Sequence, residues 1–393
     1  MKVIIHRGSH QVGGIAVEFR TDKARIIIDM GDELSLDPDF VSAPLNVPGV
    51  TDSNGVCDAV LFTHYHGDHV GQVMRIRKEI PLYAGALAKD VMLKSTERKQ
   101  PLDSAFYDKI KKVNTFSGGD VLKFGDIQVT PYSIDHSACD SYMFLIEAEG
   151  KRIIYTGDFR THGFRGKVLH KILRKIGMVD ALITEGTTLS RPDAIPMTEH
   201  ELQQKAKEYM TKYKYVYVMC ASTNLERICA LSKAVPRGKY FVCDKYQKEL
   251  LELVEKHWAQ YSPLYRNIKK VTYGDNLLKS MRDRGFLMVV RDNREFRETI
   301  KKFDSKESIM LYSMWDGYRT KLGSTIPSFL NLAGAWETLH TSGHATKEDI
   351  KLVMDIVKPN VVIPMHTDVP DVLLSLCPSD KVIIAEDGKE IVI

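Results

Sequence analysis

The segment Thr63-His64-Tyr65-His66-Gly67-Asp68-His69 constrains this chain more than any other. Four of its seven residues are metal-ligand types, and it follows directly on an apolar run at residues 59–62. Neutral imidazoles and a carboxylate suit zinc and similar borderline ions. On an extended backbone His64 and His66 point to the same side, so they can share one ion. A turn at Gly67 lets Asp68 and His69 face a second position. Two ions about 3.5–4 Å apart can share a bridging hydroxide, which is nucleophilic at neutral pH. A solvated polar loop would rarely gather three histidines and an aspartate so closely.

Other acidic and histidine residues follow the same placement. Residues 26–29 read as a buried strand, as do residues 59–63, 153–156 and 181–184, and the last two end on Asp158 and Glu185. Polar groups at the ends of buried strands are how layered α/β enzymes collect a site along one sheet edge. Beyond Arg191, Pro192 and Pro196 punctuate a linker, and Thr198-x-x-Glu201 is a capping box that opens a helix through about Lys212. Strands and helices then alternate. Strands are expected at 215–220, 240–242, 286–290 and 309–312, with helices at 225–233, 247–257 and 294–302. This is the pattern of a small doubly wound parallel domain. From about Leu332 the chain again delivers histidines: Leu339-His340-Thr341-Ser342-Gly343-His344, a helix capped by Thr346, and a strand at 361–363 leading to His366. Residues 381–393 read as a hairpin turning at Asp387-Gly388. The expected division is therefore residues 1–190 and 332–393 forming one domain, with 191–331 inserted into it.

With 393 residues, 44% hydrophobic and 27% charged, the chain can build a large core and is no candidate for disorder. A net charge of +4 tolerates a polyanionic substrate but does not argue for one. The start of the chain has no apolar signal core, and no apolar run approaches the roughly 20 residues a bilayer requires, so no membrane span is expected. Cys57, Cys139, Cys220, Cys229, Cys243 and Cys377 show no C-x-x-C pair and no disulfide spacing. Reduced thiols in a cytoplasmic protein are the expectation.

His-x-His-x-Asp-His after an apolar strand resembles the signature of the metallo-β-lactamase superfamily, and other motifs match in order. Asp29, in Ile28-Asp29-Met30-Gly31, resembles the aspartate that orients the metal loop. His136, in Asp135-His136-Ser137, resembles the third-motif ligand, and Asp158, in Thr156-Gly157-Asp158, the bridging carboxylate. The resemblance implies an αββα sandwich. It also implies two zinc ions, with manganese able to replace them. His64, His66, His136 and Asp158 would hold one ion, and Asp68, His69, Asp158 and His366 the other.

Three further features resemble the β-CASP branch, which includes ribonuclease J: the inserted domain, Thr184-Glu185-Gly186-Thr187, and His340-Thr341-Ser342-Gly343-His344-Ala345. The branch implies an inserted doubly wound cap and hydrolysis of single-stranded RNA, with DNA as a variant substrate. Asp68 would hold the attacking hydroxide. His344 would protonate the leaving 3′ oxygen, with Glu185 fixing its tautomer. His340, Ser342 and Gly343 would cradle a neighbouring phosphate. In the cap, Ser222 and Asn224 resemble a phosphate-binding turn at a helix start, interrupted here by Thr223, so an ordinary N-cap competes with that reading. Arg282, Arg284, Arg291, Arg294 and Arg297 could track a backbone, but acids interleave them and a solvated helix face fits better. Trp315 and Tyr318 fit either base stacking or a buried core. Two departures from ribonuclease J stand out. The chain runs only a short way past His366, without that enzyme's extra C-terminal domain, and it reads Met365-His366-Thr367-Asp368 where a His-Gly-Glu turn is usual. Exonuclease behaviour and assembly, including a homodimer, stay open. A small-molecule ester, thioester or lactone hydrolase on the same metal site is the rival reading.

Overall fold

Alternating apolar residues build two sheets that share one core. The first has seven strands in the order Glu390–Val392, Lys2–Arg7, Ala16–Arg20, Arg25–Ile28, Ala59–Leu61, Leu82–Gly85 and Asn114–Phe116. The second has six: Val361–Met365, Ala181–Glu185, Lys151–Tyr155, Ser141–Ala148, Ile127–Ile134 and Leu122–Phe124. Every second residue of each sheet enters a common cluster. Val3, Ile5, Val17, Phe19, Ile26 and Ile28 come from one side, and Phe144, Ile146, Ile153, Tyr155, Ile183 and Ile363 from the other. The opposite face of the second sheet offers Met143, Leu145, Ile154, Leu182 and Val362. Leu169, Leu173 and Ile176 of the helix Lys167–Ile176 cover it, together with Ile350, Val353 and Val357 of the helix Lys347–Val357. The helix Ala86–Glu97 contacts the strand Leu82–Gly85 of the first sheet. This is the expected αββα sandwich.

The coordinates come from a computed structural model that describes residues 1–37, 39–99, 101–192 and 195–393. Two compact units divide the chain: Met1–Leu34, Val41–Ile195 and Gly343–Ile393 form one, Ser35–Phe40 and Pro196–Ser342 the other. Of the expected linker, Asp193 and Ala194 lie outside the described residues. The second unit holds a six-stranded, all-parallel sheet in the order Val271–Thr272, Tyr240–Cys243, Phe286–Val290, Tyr215–Met219, Ser308–Tyr312 and Ala335–Thr338. Its helix Glu199–Lys212 starts with the capping box of Thr198 and Glu201. The strand Ala335–Thr338 pairs with Ser308–Tyr312, which carries the second unit through Ser342, past the boundary read at 331/332. We propose these two units as the domains, the second inserted in the sequence of the first.

The expected terminal hairpin does not form. Gly388 takes the turn with φ +80°, but Glu390–Val392 pairs antiparallel with Lys2–Ile4, not with residues 381–385. Ile391 thereby packs on the shared core, which outweighs a local pairing.

Candidate metal centre

The histidine cluster begins where the strand Ala59–Leu61 ends. Its second half, Gly67–Val70, is a single helical turn held by backbone bonds from neighbouring segments: Ile15 N to Asp68 O (3.0 Å), Met30 N to His69 O (2.8 Å) and Asp32 N to Gly67 O (3.0 Å). Gly31 sits against this turn so closely that a Cβ there would lie 1.6 Å from Asp68 O. Only glycine permits the approach.

Asp29 lies buried at the base of the loop. Its φ is +60°, uncommon for a side-chain-bearing residue. The buried carboxylate accepts from Thr63 N (2.8 Å), Thr63 Oγ1 (2.9 Å), Tyr155 OH (3.2 Å) and His69 Nδ1 (2.9 Å). The bond to His69 Nδ1 fixes the tautomer and turns Nε2 toward Asp158 Oδ2, 3.3 Å away. Similar supports act elsewhere. His64 Nδ1 donates to Thr63 Oγ1 (3.1 Å), and His136 Nδ1 to the carbonyl of Gly343 (2.6 Å). His366, itself at φ +54°, places Nδ1 2.7 Å from Thr187 Oγ1.

The seven expected ligands come together in two groups that share one edge. His64, His66 and His136 bring one ligand atom each within 4.8 Å of one another, and so do Asp68, His69, Asp158 and His366. Asp158 lies between the groups, its Oδ2 at 3.8 Å from His136 Nε2 and 4.0 Å from His64 Nε2, its Oδ1 at 3.8 Å from His366 Nε2. Asp68 Oδ2 is 3.2 Å from His366 Nε2.

The donor set fits cations on two grounds. His64 Nε2, His69 Nε2 and Asp158 Oδ2 are buried without a hydrogen bond among the described residues, although buried polar atoms ordinarily have one. The charge states also divide. Burial, reinforced by neighbouring histidines, holds His64 well below the ordinary imidazole range, and burial holds His136 there and His66 at about 4. These three offer neutral nitrogen. Burial opposes a charge on His69 and His366 as well, but the carboxylates of Asp158, Asp29 and Asp68 outweigh it for His69, and those of Asp158 and Asp68 raise His366 to about 9. Asp68 and Asp158 are held low, because the facing histidines overcome burial. The carboxylates thus demand positive charge at this point, which divalent cations would supply in place of protons.

His344 stands beside this centre. Its Nδ1 lies 3.0 Å from Glu185 Oε2 and 3.6 Å from Asp158 Oδ2. The other oxygen of Glu185 accepts from Phe159 N (2.8 Å) and Ala345 N (3.3 Å), so the carboxylate joins the Asp158 strand end to the His344 segment. Sequence reasoning missed Thr187 and Thr63, whose hydroxyls meet ligand histidines. It also missed a buried clamp, Arg160 Nε to Asp135 Oδ1 at 2.7 Å, that ties the residue before His136 to the segment after Asp158. For Thr63, Asp135 and Arg160 the sequence signal was their nearness to ligand candidates in the chain; for Thr187 there was none.

The second unit holds the remaining site residues. His340 Nδ1 receives a bond from Arg227 Nη1 (3.1 Å), and Arg227 Nη2 donates to Thr341 O (2.9 Å). Arg227 is itself buried against Glu199 at 2.6 Å. This links the helix Leu225–Ala234 to the segment leading into Ser342. Asn224 occupies the N-cap position of that helix without a side-chain cap bond, and its buried Oδ1 has no partner among the described residues, so it is not an ordinary cap. Ser222 Oγ accepts from Arg291 (3.0 Å). Several arginines have internal partners: Arg291 pairs with Asp244, Arg297 with Asp292 (2.6 Å), and Arg282 donates to Lys302 O (2.8 Å).

Residues 25–215 match the family model described as a beta-lactamase superfamily domain. Ribonuclease J of Mycoplasma genitalium is 20% identical, over 93% of this chain and 67% of that protein. Ribonuclease J of Helicobacter pylori (strain J99) is 22% identical, over 98% of this chain and 59% of that protein. The RNase J-like protein of Methanocaldococcus jannaschii is 28% identical, over 49% of this chain and 44% of that protein. The chain therefore spans two thirds or less of the length of these relatives. A crystal structure of a protein of unknown function from Enterococcus faecalis V583 superposes with a TM-score of 0.80 at 21% identity, covering 100% of this chain and 99% of that one. It establishes the fold alone. Residues 25–215 therefore carry a beta-lactamase superfamily domain, and that match together with the fold and the donor set defines a metal-dependent hydrolase. Within that class the chain is similar, over most of its length, to relatives named ribonuclease J.

Proposed function

We propose that the protein is a phosphodiesterase that cleaves single-stranded RNA. The observation that carries this reading is His344, oriented by Glu185 at 3.0 Å and set 3.6 Å from the carboxylate common to both ligand groups. Two divalent cations, zinc by preference and manganese in its place, would supply Lewis acidity toward a phosphoryl oxygen and toward the attacking water. His64, His66 and His136 with Asp158 would hold one, and Asp68, His69 and His366 with Asp158 the other. Asp68 holds the nucleophilic water and accepts its proton. With Nδ1–H of His344 engaged by Glu185, Nε2 is the atom that delivers a proton to the leaving oxygen. His340, Ser342, Gly343, Ser222 and Asn224 bind flanking phosphates.

The relatives named as ribonucleases support an RNA substrate over a small ester, which would need neither His344 nor Glu185. Among the described residues no helix is long and apolar enough to cross a membrane. The six cysteines form no disulfide among the described residues, which supports a reducing, cytoplasmic home.

End-labelled single-stranded RNA and DNA of one sequence, incubated with zinc or manganese, test the reading. RNA cleavage lost with a chelator, with Asp68→Ala and with His344→Ala is the expected result. A drop of about 10²–10⁴ for His344→Ala with metal binding retained would mark proton transfer. Intact nucleic acid beside turnover of a chromogenic lactone would replace this reading with the small-molecule one.

A further inference from the structure

We propose that Trp315, Tyr318 and Trp336 form a stacking platform for the unpaired bases of a single-stranded nucleic acid. The inference rests on the phosphodiesterase reading above and specifies the form of its substrate.

The strand Ser308–Tyr312 is buried throughout, but the chain that leaves it is not. Trp315 is 44% exposed and Tyr318 42%, which excludes the buried-core alternative for both. Their rings meet edge to face, with centroids 5.5 Å apart at 85°. Tyr312 OH donates to the carbonyl of Trp315 (2.7 Å) and fixes the turn. The indole lies over Gly317: a Cβ there would stand 2.4–2.7 Å from Cη2, Cζ3 and Cζ2 of Trp315. Glycine at 317 leaves the space that the half-exposed indole occupies, and a Cβ there would displace the ring.

The neighbouring edge strand, Ala335–Thr338, adds Trp336, 37% exposed. Arg319 joins the two parts. Its guanidinium lies 5.3 Å from the Trp336 ring centre and pairs with Asp316 at 2.6 Å. Aromatic faces interleaved with a held guanidinium suit nucleobases, because every base has a π-face and the cation attracts both ring and phosphate. A second copy of the chain fits less well. The edge strand has four residues, and its Glu337 is bonded by Tyr209 OH.

The test titrates the full chain, with chelator present to block turnover, against a short single-stranded oligouridylate and an abasic oligonucleotide of equal length. Tryptophan fluorescence and anisotropy report binding. The wild type should bind the uridylate at least tenfold more tightly than the abasic strand. Trp315→Ala and Tyr318→Ala should each lose about tenfold, the equivalent of one base stack. Trp315→Phe should retain most of the affinity, and Gly317→Ala should lose affinity with every aromatic present. The salt dependence should stay unchanged across the set, since no phosphate contact is removed. Equal binding of both strands by all variants overturns the platform. If RNA is still cleaved in that case, the phosphodiesterase reading survives alone. If wild type neither binds nor cleaves a single strand, both fall. If Trp315→Ala or Trp336→Ala converts a dimer to a monomer with uridylate affinity unchanged, the face joins copies of the chain and the proposal is wrong.

Discussion

Replacing Arg160 by methionine probes the scaffold behind the metal ligands. Both partners of the Arg160–Asp135 pair have side chains 0% exposed, with Nε 2.7 Å from Oδ1. Removing the guanidinium strands a carboxylate in a dry interior, and breaking a buried pair in this way costs about 3–5 kcal/mol. Two features favour the lower end. Methionine restores much of the packing of the arginine stem, and Arg165 N still donates to Asp135 Oδ2 at 2.6 Å. The expected loss is about 3 kcal/mol, roughly a hundredfold in the folding constant. The double variant Arg160→Met/Asp135→Asn leaves no orphaned charge and should recover part of the loss, which urea unfolding of all members of the cycle would measure. Competition with a chromophoric chelator gives a second readout. Asp135 immediately precedes His136, and Arg160 follows Asp158 by two residues, so the clamp sets the spacing of two ligand-bearing strand ends. Zinc affinity should fall about tenfold, as for other residues that orient ligands. If Arg160→Met loses less than about 1 kcal/mol, the range of a surface pair, and holds zinc as the wild type does, the clamp is idle and the reasoning fails.

Three further outcomes are expected. Gly31→Ala places a methyl 1.6 Å from Asp68 O, so the turn carrying Asp68 and His69 must move; zinc stoichiometry by atomic absorption should drop while far-UV circular dichroism stays near native. Thr187→Val removes the hydroxyl 2.7 Å from His366 Nδ1 and should weaken zinc binding by about 10–100-fold, whereas Thr187→Ser should not; equal affinities for the two would leave Thr187 without an orienting role. Glu18 is buried, yet His6 and Arg25 outweigh that burial and lower its pKa in the folded state. Its contribution is therefore present above the unfolded carboxylate value of about 4.3 and is lost as pH falls through the lower folded value. Glu18→Gln should lose about 2 kcal/mol at pH 7 and flatten the acid limb of the stability profile; an unchanged limb would show that the His6–Glu18–Arg25 cluster carries no pH dependence.

Many strands were legible because they are continuous apolar runs buried on both faces, as Ala59–Leu61 and Ala181–Glu185 are at every position. The expected strand at 286–290 is Phe286–Val290, and the capping box at Thr198 opens the helix Glu199–Lys212. The strand Ala335–Thr338 was not legible, since an exposed edge strand with Trp336, Glu337 and Thr338 has no apolar period to read. The terminal hairpin misled for a related reason. Asp387-Gly388 does turn the chain, but a turn signal does not name the partner strand, and Lys2–Ile4 lies at the far end of the sequence.

The ligands differ from their supports in one physical respect. A metal ligand must be one of a few residue types, so the spacing of His64, His66, Asp68 and His69 exposes a candidate centre, and the family resemblance adds His136, Asp158 and His366. A support needs only a donor or acceptor at the right distance. Thr187 meets His366 from 179 residues away, and Gly343 meets His136 from 207. Each is a common residue, and in Gly343 the working atom is a backbone carbonyl. The fold brings these pairs together because its strand ends converge on one edge, so the tautomers that aim His136 and His366 inward are set by topology rather than by any motif. A substitution that keeps every ligand but alters one of these supports should therefore reveal more about this centre than removal of a ligand, which any metal site would fail to survive.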